Sequence, residues 1–245
     1  MQKASLNSIS QRRKKILITG SLAHFVHDGF SDVLFILLPL WATGLGLSHA
    51  QVGFLKMFLS GSMAIFQVPA GFLAERLGER VILFAGTALA GFAFIMLQTT
   101  NSFFGLAVCL LFAGAGCAVQ HPLASSLISL AYKSGGRRPA LGMYNFAGDL
   151  GKVTVPFFTS ILISAYSWQV GTTTYGVVGL IAALTILIAL ISLKAGHEPT
   201  GHEPRVGQVE QITSGIIDLR GFSILSLISM IDSSARIGFI TFLPF

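Results

Sequence analysis

An all-α fold, a polytopic bundle of transmembrane helices with six complete spans and the beginning of a seventh, is predicted by three observations. Apolar stretches recur at about the 20 residues that a helix needs to cross ~30 Å of hydrocarbon. The 245 residues are 53% hydrophobic and 11% charged, with a mean hydropathy of +0.74, whereas a soluble domain carries roughly 25% charged residues. The basic residues also alternate between loops. Thirteen of the sixteen Lys and Arg lie before span one or after spans two, four and six, and the intervening loops have none. Under the positive-inside rule the N-terminus is cytoplasmic, and the expected location is a plasma (inner) membrane. That distribution also accounts for the net charge of +6 and leaves nucleic-acid binding without support.

The elements follow in order. Residues 1–15 form a basic cytoplasmic N-terminus carrying Lys3, Arg12, Arg13, Lys14 and Lys15. Residues 16–193 form a six-helix bundle with spans at 16–45, 48–73, 81–98, 103–131, 140–165 and 173–193. The first apolar run is too long for a signal peptide. Ser48 followed by Gln51 is a capping box that starts helix two just after a short turn, which makes spans one and two antiparallel neighbours. Pro139 sits near the first position of helix five, after a Gly-punctuated turn. Cys109 and Cys117 lie eight residues apart on one helix, about 12 Å along its axis, too far to pair.

Residues 194–211 read as a flexible cytoplasmic linker. Its repeated Gly-His-Glu-Pro offers His197 and His202 as weak metal ligands, with no further Cys or His to complete a site. Residues 212–245 begin a seventh helix. Its "IDSSARIGFITFLPF" echoes "HDGFSDVLFILLPL" of span one, one residue out of register. The expectation is two parallel six-helix bundles, each with a 3+3 inverted repeat, of which the second is cut off at Phe245.

Within span one, His24, His27, Asp28 and Asp32 interrupt an otherwise apolar run. A charge at the bilayer centre costs roughly 2.5–3.5 kcal/mol on insertion scales. At 100° per residue the four share one face about 140° wide, which should point into the protein. In span five, Asn145, Asp149 and Lys152 share a face, and Asp149 can pair with Lys152 three residues on. Span four adds His121, followed by Pro122. Three spans thus bring polar groups to similar depth, as a substrate or proton pathway requires. Competing structural roles are a static Asp149–Lys152 pair and a His121 that bonds a carbonyl freed at a bend. Lys56, about two turns inside span two, is expected to snorkel outward.

The turn "GFLAERLGERVIL" resembles the signature loop of the major facilitator superfamily of secondary transporters. Gly71, Glu75, Arg76, Gly78 and Arg80 fit that pattern, although Glu75 stands where Asp is usual and Glu79 where a basic residue is usual. "HFVHD" in span one, "GAGCAVQHPLASS" and "GGRRPALGMYNFAGDLG" are similar to the fosmidomycin-resistance type of efflux protein within it. Leu110 replaces the helix-four Arg of many drug antiporters, and Val155 precedes Pro156 where their signature has Gly. The resemblance implies a central cavity, protons and a small molecule as partners, and a cytoplasmic latch at Gly71 to Arg80.

The expected function is proton-coupled efflux of a small molecule by alternating access, with no cofactor and no enzymatic step. Proton coupling would use Asp28, Asp32, Asp149 or the histidines. Two readings compete with it. One is a non-transporting half or sensor, since both bundles build the cavity and this chain would need another half. The other is a membrane metalloenzyme using His24, His27, Asp28 and Asp32, with His121 as the one candidate partner from another helix.

Overall fold

The computed structural model describes residues 2–196 and 219–243. Among them the ordered elements are helices: α1 (Gln2–Asp32), α2 (Leu34–Leu45), α3 (His49–Leu77), α4 (Glu79–Met96), a 3-10 turn (Leu97–Thr99), α5 (Phe103–Cys117), α6 (Gln120–Ala131), α7 (Arg137–Ala165), α8 (Trp168–Ser192) and α9 (Leu219–Phe242). Seven helical stretches in the described residues are long and apolar enough to cross a membrane. The chain is a multi-pass membrane protein.

Local sequence sets most of the helix ends. Ser48 and Gln51 form the expected capping box: the Gln51 amide donates to Ser48 Oγ at 3.3 Å, and Gln51 Oε1 accepts from the Ser48 amide at 2.9 Å. Ser102 and Ser167 cap α5 and α8 in the same way, accepting from Gly105 N and Val170 N. Gly46, with φ +63°, ends α2 in the left-handed conformation that a residue with a side chain seldom adopts.

Two spans are broken near their middle. Span four splits into α5 and α6 at Ala118 and Val119. Pro122 is the cause: it has no amide to offer the Ala118 carbonyl four residues back, and its ring crowds that carbonyl. Span one splits at Val33, where the ladder tightens and Ile36 N bonds Val33 O at 3.1 Å.

The packing carries the symmetry of a 3+3 repeat. Span one (α1) lies along span five (α7), span two (α3) along span four (α5), and span three (α4) along span six (α8). Exchanging one with four, two with five and three with six turns the first pair into the second and leaves the third unchanged, which is the inverted-repeat relation. Small residues make the close approaches possible. A Cβ on Gly91 of α4 would lie 2.8 Å from the Gly176 carbonyl of α8. On α7, one on Gly151 would run into the Phe25 carbonyl of α1. Phe30, Phe94 and Tyr175 fill the space where α1, α4 and α8 meet, with ring centroids 4.6–6.2 Å apart.

Helix α1 runs through the basic segment without a break, and its arginines are anchored. Arg12 donates to the carbonyls of Leu193 (2.8 Å) and Lys194 (3.0 Å), neutralising the negative end of α8. Arg13 lies 4.5 Å from the Tyr132 ring centroid and bonds the Gly135 carbonyl. Most of the linker, residues 197–211, and the start of the seventh span, 212–218, lie outside the described residues. The second unit, residues 200–245, is represented by α9, whose exposed apolar side chains include Leu225, Ile228 and Phe239. Asp232 lies on α9, and the Arg236 side chain falls outside the described residues.

Candidate functional site: a polar cavity between spans one, four and five

All eight residues singled out from the sequence as pathway candidates line one cavity of about 460 Å³: His24, His27, Asp28, Asp32, His121, Asn145, Asp149 and Lys152. Each reaches it for a local reason. His24 and Asp28 stand one turn apart on α1, with His24 Nε2 3.3 Å from Asp28 Oδ2. His121 is the second residue of α6, just beyond the break at Ala118 and Val119, and its Nε2 lies 4.0 Å from Asp28 Oδ1. Lys152 sits between two carboxylates, 3.2 Å from Asp28 Oδ2 and 3.0 Å from Asp149 Oδ1. Asn145 and Asp149 are exposed on α7, while Asp32 is half-buried at the end of α1.

Two histidine tautomers follow from the hydrogen bonds. His24 Nδ1 lies 2.9 Å from the Tyr144 carbonyl, which can only accept, so Nδ1 carries a proton. Its Nε2 therefore faces a carboxylate oxygen, an arrangement that is attractive only when a proton or another cation lies between them. Thr87 spends its single hydroxyl hydrogen on the Leu83 carbonyl, so it accepts from His27 Nε2 at 2.9 Å. His27 is thereby tied to α4, and its Nδ1 has no hydrogen-bond partner.

The shared face of span one points into the protein, and within it His27 borders the cavity while bonding sideways to span three. The metal-ligand reading changes. Among the described residues the group with ligand atoms within 4.8 Å of one another is His24, Asp28 and His121, and His27 and Asp32 do not belong to it. Lys56 does not snorkel. It is 7% exposed, with Nζ 4.2 Å from the Phe35 ring centroid and 3.5 Å from the Ser31 carbonyl. The ring face and the carbonyl together outweigh the outward route.

Sequence reasoning missed Gly148. A Cβ there would lie 2.6 Å from His24 Nε2 and 2.7 Å from Asp28 Oδ2, so only glycine lets α7 bring Lys152 to Asp28. Its i+3 spacing to Gly151 on the face opposite α1 is the signal that could have found it. The predicted loop also takes shape. Gly78, at φ +88°, joins α3 to α4. Glu75 and Arg76 are exposed, Gly71 and Arg80 are half-buried, and Arg80 N donates to the Gly196 carbonyl at 3.1 Å.

The helical pairing and the buried charged cluster define a class: a multi-pass helical membrane protein with a polar cavity among its spans. The chain belongs to the Major Facilitator Superfamily, whose family model matches residues 20–245. It is similar to the uncharacterized MFS-type transporter YfnC of Bacillus subtilis (strain 168), with 23% identity over 150 residues, 60% of this chain and 36% of that protein. It is also similar to the class D tetracycline resistance protein of Salmonella ordonez, with 31% identity over 148 residues, 57% of this chain and 36% of that protein. Its fold matches the crystal structure of the peptide transporter POT in complex with sulfate, with a TM-score of 0.62 and 18% identity over 96% of this chain and 47% of that one. The chain spans less than half the length of each of these proteins.

Proposed function

We propose that the chain works in a secondary transporter that exports a small molecule by alternating access, driven by protons. One observation carries the reading: a carboxylate that is 6% exposed, Asp28, is surrounded by His24, His121 and Lys152 at the wall of a membrane-depth cavity. A proton held between His24 and Asp28 changes the charge at the α1–α7 contact. A conformation that tolerates the neutral form is then populated when the proton is bound. Lys152 can satisfy Asp149 when it leaves Asp28, so the two helices can separate without stranding an ammonium.

Direction and substrate class rest on likeness. Export is supported by similarity to a tetracycline resistance protein and by the resemblance to fosmidomycin-resistance efflux proteins. The charge distribution supports a cytoplasmic N-terminus, and the Gly71 to Arg80 loop, joined to Gly196, is suited to latch the cytoplasmic side. A second half-bundle, from further sequence or another chain, would complete the cavity.

The test uses inside-out membrane vesicles with an acidified lumen, read by a fluorescent weak base. Adding fosmidomycin or tetracycline should discharge the gradient with the native chain and not with Asp28→Asn. Equal discharge by both would remove Asp28 from the coupling.

A further inference from the structure

We propose that His24, Asp28 and His121 form a binding site for a divalent transition-metal ion, with the Lys152 ammonium as the cation that the ion displaces. The donor set is two imidazoles and one carboxylate, which suits Zn²⁺, Co²⁺ or Ni²⁺ and not the oxygen-seeking Mg²⁺ or Ca²⁺. Donor atoms on one tetrahedral ion at about 2.1 Å stand roughly 3.4 Å apart. His24 Nε2 and Asp28 Oδ2 already lie 3.3 Å apart, His121 Nε2 is 4.0 Å from Asp28 Oδ1, and one donor atom from each residue falls within 4.8 Å of the others, so side-chain adjustments of about 1–1.5 Å close the set.

Three further features point to an ion and not merely to a packed polar cluster. The His24 Nδ1 proton is committed to the Tyr144 carbonyl, the outer bond that fixes a ligating histidine with its other nitrogen free. The His24 and His121 rings meet edge to face at 88°, with centroids 5.1 Å apart, so they approach Asp28 from different directions. Asp28 Oδ2 is buried without a hydrogen bond of good geometry and is served only by charge. Lys152 presently supplies that charge at 3.2 Å, but Asp149, 3.0 Å away on its other side, can keep it when the ion arrives. The proposal shares its cavity with the transport reading, yet ion binding belongs to the side chains and is measured without transport.

The experiment is equilibrium titration of the purified full chain in detergent with Co²⁺, read by its visible absorption, followed by Zn²⁺ competition. A background of His49→Gln, His197→Gln and His202→Gln removes histidines outside the cavity. One Co²⁺ per chain, displaced by Zn²⁺, is expected. Asp28→Asn and His121→Ala should each abolish the spectrum while helix content by circular dichroism holds. Lys152→Met should tighten binding at least several-fold. No Co²⁺ spectrum in the background chain, or a spectrum that survives both ligand changes, overturns the site. Unchanged or weaker binding in Lys152→Met overturns the exchange and needs no loss of ligand to show it. Ion binding without proton-linked solute movement would leave this site standing and remove the transport reading. Proton-linked movement in a chain that binds no Co²⁺ would do the reverse.

Discussion

Lys152 of α7 reaches Asp28 of α1 across the helix contact, with Nζ 3.2 Å from Oδ2, although Asp149 on its own helix lies as near. The cross-helix bond is what makes the cavity wall depend on charge. Removing one partner of a fully buried pair costs about 3–5 kcal/mol. The Lys152 side chain is 43% exposed, so Lys152→Met should cost about 1–2 kcal/mol after solvent screening. Asp149→Asn should cost less, because that side chain is 69% exposed. Combining Asp28→Asn with Lys152→Met should recover part of the single losses. Thermal unfolding in detergent checks the cycle, and strictly additive losses would show that the pair is not coupled.

Gly148→Ala tests the close approach that allows this bond. The new methyl would meet His24 Nε2 and Asp28 Oδ2, neither of which can yield without breaking its own contacts. Overpacking of this kind costs about 1–3 kcal/mol. Gly142→Ala, on the same helix with open space around it, should instead stabilise by about 0.5–1 kcal/mol. Unfolding temperatures that move in opposite directions are the expected result, and equal shifts would count against a tight α1–α7 contact.

Hydropathy made the spans legible because transfer into lipid acts on every residue in a run of twenty, and that sum survives local exceptions. Helix phase likewise brought His24, Asp28 and Asp32 to one wall, since 100° per residue is a local property. Partners on other helices were hidden. Asp149, three residues from Lys152, offered a sufficient local explanation, and nothing in the order of residues reveals that Gly148 opens the way to Asp28. Lys56 shows the same limit: an outward path is always available in sequence, whereas the Phe35 ring that holds it inward appears only when α2 and α3 are packed.

Arg12→Ala should loosen the N-terminal turns of α1 from the end of α8. The guanidinium supplies two charge-assisted bonds to the Leu193 and Lys194 carbonyls, exposed and therefore worth about 1 kcal/mol in all. Faster trypsin cleavage after Arg13, Lys14 and Lys15 in native-like detergent is the expected reading. An unchanged rate would show that Arg13, through Tyr132 and Gly135, suffices to hold the segment.

Pro122→Ala separates the geometry of the site from the stability of the bundle. Alanine restores an amide opposite the Ala118 carbonyl and is favoured over proline by about 3 kcal/mol in a regular helix interior. Part of that gain is spent because the surrounding spans are packed against a broken helix, so the unfolding temperature should stay level or rise. His121 adjoins the break, and a straightened span four carries its imidazole away from Asp28, 4.0 Å distant in the native fold. Gradient discharge in vesicles should fall with stability intact, and Co²⁺ binding should weaken with it. A variant that is stabilised and fully active would mean that the bend serves packing alone and that His121 takes no part in the cavity's chemistry.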